Sequence, residues 1–204
     1  MLTIILCVAA ATSMVYKETM KQKPGMRPPQ FGNVVLETPR LKLRSFTEND
    51  KDEFYSIIQD PEIYKTLPED HMYDRSEAGG IIDFFLDCYA SDTQDDVRKF
   101  PLAITLKPGG GIIGNVGIGK WSFDDSQTEV FYFLHSAYWN KGYASEAVAG
   151  FLCYIKEHLF LPSLIGTVVP GNTASAKILK KNGFIRDYGT ADGYQRDVYR
   201  LVFN

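Results

Sequence analysis

Apolar and polar positions alternate clearly after residue 33. In VVLETPRLKLRSF, 34–46, Leu41 and Leu43 alternate with Lys42 and Arg44, and Ser45 falls next in that register, so this stretch predicts extended chain. FTENDKDEFYSIIQDPEI follows. Thr47 with Asp50 three residues on marks a helix start, Phe54, Ile57 and Ile58 supply an apolar stripe, and Pro61 should end it. RSEAGGIIDFFLDCYA, 75–90, predicts a second helix with Ile81, Phe84, Phe85 and Cys88 on one face, weakened at its beginning by Gly79 and Gly80. Phe100 to Leu106 reads as a strand, KPGGG as a turn, and Ile112 to Lys120 as the returning arm of a hairpin. WSFDDSQTE, 121–129, reads as a turn, and Glu129 to Leu134 as the next strand.

A long helix is predicted from about Tyr143 to Leu159. Ala144, Ala147, Val148, Phe151, Ile155 and Leu159 recur at spacings of three and four. Residues 163–169 read as a buried strand. Thr173 to Asn182 reads as a short helix with Ala174 and Ile178 inward, and Asn182-Gly183 supplies its C-terminal stop. The tail alternates again from Val198 to Val202. The order is strand, two helices, three hairpin-linked strands, helix, strand, helix, two strands. That order predicts an α+β fold: a mixed sheet with helices on both faces.

GNVGIGKW, 114–121, almost spells a phosphate-binding loop. Trp121 stands where a magnesium-holding hydroxyl belongs, and no helical stripe follows Lys120. Val116 and Ile118 fall at the spacing of a strand, so a nucleotidase is rejected. Glycines inside a strand instead mark a bulge or a close approach of backbones.

Composition narrows the classes further. The 204 residues are 45% hydrophobic, enough for one core, and the net charge is −3. A general nucleic-acid binder would show a basic surplus. The three cysteines, Cys7, Cys88 and Cys153, and the three histidines, His71, His135 and His158, are scattered, without the local spacing of a metal site. Buried thiols in a reducing compartment, and so a cytoplasmic location, are expected. The first sixteen residues carry no charged side chain; they are too short to span a membrane, and no Lys or Arg precedes the apolar run as in a signal peptide. Residues 17–33 read as a polar linker. The division expected is an N-terminal segment and linker, 1–33, and one domain, 34–204.

EVFYFLHSAYWNKGYASEAVAGF, 129–151, carries the chemistry. A strand ends and a turn with Asn140 and Gly142 opens the long helix. The first amides of a helix lack internal partners and sit at the positive end of its dipole. Small residues there let a diphosphate approach. Gly142 has no Cβ, Ala144 keeps the next turn narrow, Ser145 adds a hydroxyl, and Asn140 tolerates positive φ. Many helices begin this way and bind nothing.

With the element order, and with VVPGNTASAKILKKNGF at 168–184, the chain resembles the GNAT superfamily of acyl-CoA N-acetyltransferases over about residues 34–204. The branch resembled holds the ribosomal-protein N-terminal and spermidine acetyltransferases. The loop signature is Trp139-Asn-Lys-Gly142-Tyr-Ala144. The second signature has Asn172, Ser175 three residues later, then Gly183-Phe184. The resemblance implies a splayed central sheet and a direct acetyl transfer from acetyl-CoA to a primary amine, with no metal. It implies that Asn140, Lys141, Gly142, Tyr143, Ala144 and Ser145 hold the CoA diphosphate, and that the backbone of Phe133 and Leu134 pairs with the pantetheine arm. Asn172 would bond the arm or the acetyl end, or cap its helix, or both.

Glu129 is the candidate base, and is equally a solvated strand-end carboxylate. Ser175 is the candidate acid, and is equally an ordinary helix serine. Two departures stand out. Many relatives carry a tyrosine acid four residues before the Gly-Phe glycine, where this chain has Leu179. Trp139 replaces the usual Gln or Arg of the loop. Leu179 keeps open a catalytically silent CoA-binding or interaction module on the same fold. The acceptor, a protein N-terminus, a polyamine or another small amine, would sit between the 60–100 region and the hairpin after Phe184, near Tyr188 and Tyr194. The acidic pairs Asp95-Asp96 and Asp124-Asp125 could attract a cationic acceptor, or simply be solvated. The partners expected are acetyl-CoA and an amine, with no nucleic acid and no membrane span; a homodimer is one further option.

Overall fold

The strand after the linker is folded back on itself. In the computed structural model, which describes residues 31–65, 74–188 and 196–203, the 34–46 stretch forms an antiparallel pair, β1 (Val35–Glu37) and β2 (Leu41–Arg44). Leu41 and Leu43 are fully buried while Lys42 is exposed, as the alternation requires. Ser45 continues the buried register. Its Oγ donates to the Phe31 carbonyl (2.5 Å) and accepts from the Val34 N–H (3.0 Å). The same contact draws Phe31 into the core, 4.6 Å from the Phe100 ring.

Three helical segments follow. Thr47 and Asp50 form a reciprocal capping box at the entry to α1 (Lys51–Ile58). Pro61 does end that helix, but it also opens the next, α2 (Pro61–Tyr64), because proline suits a first helical position and Asp60 caps it. A second capping box, Asp74 with Glu77, starts α3 (Arg75–Ser91) despite the following glycines. The buried face of α3 is rotated from the expected one. Ala78, Ile82, Phe85, Cys88 and Tyr89 face inward, whereas Phe84 is 44% exposed. The phenol of Tyr89 decides the rotation: it donates to the Pro101 carbonyl (2.5 Å) and accepts from the Phe46 N–H (3.2 Å).

The hairpins come next: β3 (Lys99–Leu106), β4 (Ile112–Trp121) and β5 (Asp124–Leu134). The predicted 121–129 turn shrinks to Ser122 and Phe123. β5 starts at Asp124, paired with Trp121, and its polar first half gives no apolar alternation because it is largely exposed. α4 (Tyr143–His158), β6 (Ser163–Val168), α5 (Thr173–Lys181), β7 (Ile185–Asp187) and β8 (Asp197–Val202) complete the chain. α5 turns Leu179 inward, 1% exposed, while Ala174 faces solvent. Gly183, at φ 87°, ends it as expected.

The eight strands form one mixed sheet, β1-β2-β3-β4-β5-β6-β8-β7. Every pair is antiparallel except β5–β6, which is parallel. Helices cover both faces. Gly150 of α4 lies against Leu43, on the face that register assigns to Leu102, Val116, Val130 and Tyr132. On the other face, the Phe54 ring of α1 packs 6.3 Å from Phe133. Glu129, Phe131 and Phe133 share that second face by the period of two.

The strand glycines are not a phosphate loop but places of close approach. A Cβ on Gly117 would lie 2.5 Å from Phe131 Cζ and 2.7 Å from Pro101 Cα. Pro101 is backbone and cannot yield. Gly117→Ala should therefore destabilise the fold by about 2 kcal/mol, read as a lower urea midpoint with an unchanged m-value.

Candidate active site

β5 and β6 touch in a single parallel bridge, Glu129 with Ile165. Among the described residues no ladder joins Val130–Leu134 to β6, whereas β4 pairs with β5 throughout that stretch. The sheet is thus splayed beyond Glu129, with one side of a central strand left open.

The chain leaving β5 is tightly held. The Ser136 N–H donates to the Asp60 carboxylate (2.5 Å), which also caps α2 through the Glu62 N–H (3.0 Å). His135 Nδ1 accepts from the Ala137 N–H (3.2 Å). The Trp139 indole donates to the Leu134 carbonyl (2.7 Å). The tryptophan that replaces Gln or Arg is therefore a tether for the loop, and it occupies one of the Leu134 backbone groups.

The loop then passes through two left-handed residues, Asn140 (φ 59°) and Gly142 (φ 79°). Gly142 is the N-cap of α4 and provides no side-chain cap; the first i→i−4 bond is from the Glu146 N–H to the Gly142 carbonyl (3.1 Å). The amides of Tyr143, Ala144 and Ser145 precede it in the helix. Amides of this kind, without an intrahelical partner at the positive end of the helix dipole, are groups a diphosphate could accept bonds from.

A brace from the β1–β2 turn supports this cradle, and sequence reasoning missed it. Glu146 accepts from Thr38 Oγ1 (2.6 Å), from the Arg40 N–H (2.8 Å) and from Arg40 Nε (2.6 Å). Arg40 also donates to the Lys141 carbonyl (2.8 Å) and lies 4.6 Å from the Tyr143 ring centroid. A pairing across more than a hundred residues leaves no local signal. Burial pushes the Glu146 carboxyl up, but these bonds outweigh it and hold the group below the usual range.

The opposite wall is α5. Asn172 caps it, accepting from the Ser175 N–H (3.1 Å), so its capping role is present. Tyr132, on β5, was also missed. Its phenol donates to the Ser175 carbonyl (3.2 Å), linking the strand to the first turn of α5. Burial raises its pKa to about 12. Leu179 is not in the opening: it packs onto β6, where a Cβ on Gly166 would lie 2.8 Å from its Cδ2.

Glu129 closes the narrow end. Burial raises its carboxyl above the ordinary range, against a hydrogen bond from Thr167 Oγ1 (2.5 Å) and the pull of Lys99. Lys177, Lys180 and Lys181 are exposed on α5. Of the acidic pairs, Asp96 binds Lys120 (2.9 Å), Asp95 accepts from Thr93 (3.0 Å) and Asp124 accepts from Gln127 (2.7 Å), while Asp125 is exposed. Tyr188 is exposed, and Tyr194, His71 and the N-terminal segment lie outside the described residues.

A cleft of about 390 Å³ lies elsewhere, lined by Glu37, Lys42, Arg44, Glu53 and the 107–111 turn. Its charges serve structure, as Lys107 pairs with Glu37 (2.8 Å) and Arg44 with Asp50 (2.7 Å). It has no part in the splay. Among the described residues no group of three or more His, Cys, Asp or Glu could hold a metal, and no helix is long and apolar enough to cross a membrane.

A splayed mixed sheet beside an uncapped helix start is the arrangement expected of an acyl-CoA-dependent transferase. The acetyltransferase (GNAT) domain family matches residues 40–185, and the chain belongs to that family. It is similar to the uncharacterized N-acetyltransferase p20 of Bacillus licheniformis, 32% identical over 170 residues, 81% of this chain and 93% of that one. An acetyltransferase from Agrobacterium tumefaciens has the same fold, with a TM-score of 0.68 at 25% identity, covering 82% of this chain and 94% of that chain. RimJ of Mycobacterium smegmatis, solved with a CoA-disulfide, shares the fold at 21% identity, with a TM-score of 0.67 over 87% and 90% of the two chains. The protein is an acetyl-CoA-dependent N-acetyltransferase.

The carboxylates around this site make a prediction of sign. Asp60 and Glu146 are both held below their ordinary values by the bonds that outweigh burial. Their stabilisation is complete above the unfolded values of about 4 and is lost as pH falls through the folded ones. Glu146→Gln should lower stability at pH 7 and flatten its loss between about pH 5 and 2, measured by denaturant unfolding across that range.

Proposed function

We propose that this enzyme moves the acetyl group directly from acetyl-CoA to a primary amine within a ternary complex, without a covalent enzyme intermediate. The observation that carries the reading is the splay itself. A half-buried carboxylate, Glu129, stands where β5 and β6 part, and the strand beyond it runs on to the turn that opens α4 without a side-chain cap. The amides of Asn140, Lys141, Gly142, Tyr143, Ala144 and Ser145 would receive the diphosphate, favoured by the helix dipole. The pantetheine arm would lie along β5 as an added strand, pairing chiefly with Phe133, because the Leu134 carbonyl already accepts the Trp139 indole. Asn172 fixes the first turn of α5 beside it.

In the transfer, the amine nitrogen attacks the thioester carbonyl carbon. A C–N bond forms, the C–S bond breaks, one proton leaves nitrogen and one reaches the thiolate. Glu129 accepts the proton from nitrogen, directly or through water. Its raised pKa suits that task, because a base works best with a value near the working pH. Ser175 is the candidate proton donor to sulfur, and Tyr132, whose phenol touches the same turn, is the second.

The silent-module alternative rests on Leu179 alone. Calorimetry with acetyl-CoA, then a thiol-release assay over an amine panel, separates the two: cofactor binding without turnover on any amine would remove catalysis from the reading. Initial rates with both substrates varied should give intersecting lines for a ternary complex.

Glu129→Gln should lower kcat/KM by about a hundredfold and abolish the acid limb of the pH–rate profile. In the native enzyme that limb should lie above the ordinary carboxylate value, since rate is lost as falling pH protonates the base. Thr167→Val removes the bond that favours the ionised form and should move the limb further up.

A further inference from the structure

We propose that Arg40, on the β1–β2 turn, binds the diphosphate of coenzyme A directly, supplying a polar contact that Trp139 does not. This rests on the reading above, in which the diphosphate meets the start of α4. It adds to that site a residue 101 positions upstream of Lys141. Trp139 has one polar group, its indole N–H, and that is spent on the Leu134 carbonyl.

The Arg40 guanidinium lies against three consecutive residues of the loop. Nη1 donates to the Lys141 carbonyl (2.8 Å), a Cβ on Gly142 would lie 3.4 Å from Nη2, and the group stands 4.6 Å from the centroid of the Tyr143 ring. Arginine carries five N–H donors in a fixed fork. The protein uses Nε, on Glu146 (2.6 Å), and Nη1. Nη2 makes no hydrogen bond among the described residues. The side chain is 48% exposed, so a ligand can reach the donors left beside Gly142.

The charge of Arg40 is not surplus, because Glu146 balances it. What remains is donor capacity, of the planar kind that suits phosphate oxygens. Glu146 also creates a need for it. This carboxylate lies in the first turn of α4, where it opposes any anion bound at the helix start. Arg40 neutralises it while Nη2 stays beside Gly142. Lys141, the cation within the loop itself, is engaged elsewhere: its Nζ donates to the Ala137 carbonyl (2.9 Å).

The test is calorimetry with coenzyme A on the full chain and its variants, each first checked for folding by urea unfolding. Arg40→Gln should weaken binding at least about tenfold, as expected for a lost hydrogen bond to a charged group. Glu146→Gln removes the brace but keeps the arginine. It should bind coenzyme A as tightly as the native chain or more tightly, because a negative charge near the diphosphate is gone, although its fold is less stable. Arg40→Lys keeps a charge for Glu146 without the fork, and should also weaken binding, which decides the matter if the glutamine variant does not fold. Dephospho-coenzyme A, which lacks the 3′-phosphate and keeps the diphosphate, should show the same ratio between native chain and Arg40 variant. A ratio that vanishes with it would move the contact to the 3′-phosphate and overturn the assignment. Equal weakening by Arg40→Gln and Glu146→Gln, or no weakening by either Arg40 variant, would overturn the inference alone. Failure of the native chain to bind coenzyme A would overturn the transferase reading and the inference with it.

Discussion

Main-chain hydrogen bonding along β5 is the constraint on which the site depends. A buried backbone amide or carbonyl without a partner costs free energy, so a central strand normally pairs on both edges. β5 is paired with β4 from Thr128 to Leu134, but among the described residues it meets β6 only at Glu129. Closing the remaining gap would satisfy those groups, so something must hold the strands apart. The chain after β5 is fastened on the helix side by Asp60 and on itself by Trp139. Tyr132 holds the first turn of α5 against β5, and Leu179 presses that helix onto Gly166. The opening is therefore built by ordinary side-chain bonds on its rim, and the ligand groups that fit it are those that can complete a strand.

The same rim sorts the carboxylates. Asp50, Asp60 and Glu146 all lose solvent, yet each stays below its ordinary pKa because amides, hydroxyls or a guanidinium more than compensate. Glu129 loses solvent too, and there the loss outweighs the hydroxyl and amide of Thr167 and the pull of Lys99, so its value rises. Desolvation acts on all four groups; whether the bonds and charges around each outweigh it separates them. Above its raised value the ionised Glu129 works against the folded state. That makes it the group whose environment is explained by chemistry rather than by stability.

Much of this was legible in the chain. Period-two and period-four patterns located the strands and helices because each buries one face, and the tolerance of Asn140 for positive φ is used in the structure, where Gly142 adopts it too. Where an element is exposed the pattern fails, as in the first half of β5. Where a single polar bond decides a rotation it also fails, as with Tyr89 and the face of α3. The brace from Arg40 to Glu146 and the reach of Tyr132 to Ser175 join residues distant in sequence through backbone groups, which no local spacing records. Trp139 stood out as a departure from the usual Gln or Arg because its residue type was known, while its partner, the Leu134 carbonyl, was not.

Leu179 bears on how much an acid matters. Its burial against β6 removes the tyrosine that many relatives place in α5, and no rotation of a leucine restores a proton donor. Yet a thiol of pKa about 8.5 leaves as a thiolate near neutral pH with a modest penalty, so protonation of sulfur adds to the rate without being its condition. Removing the amine proton has no such latitude, because a tetrahedral adduct that keeps it expels the amine again. In the proposed mechanism the burden of the reaction thus falls on Glu129, with the amides at the start of α4 holding the diphosphate. Tyr132, kept protonated by burial, stands at the first turn of α5, where a donor would be of use to that mechanism.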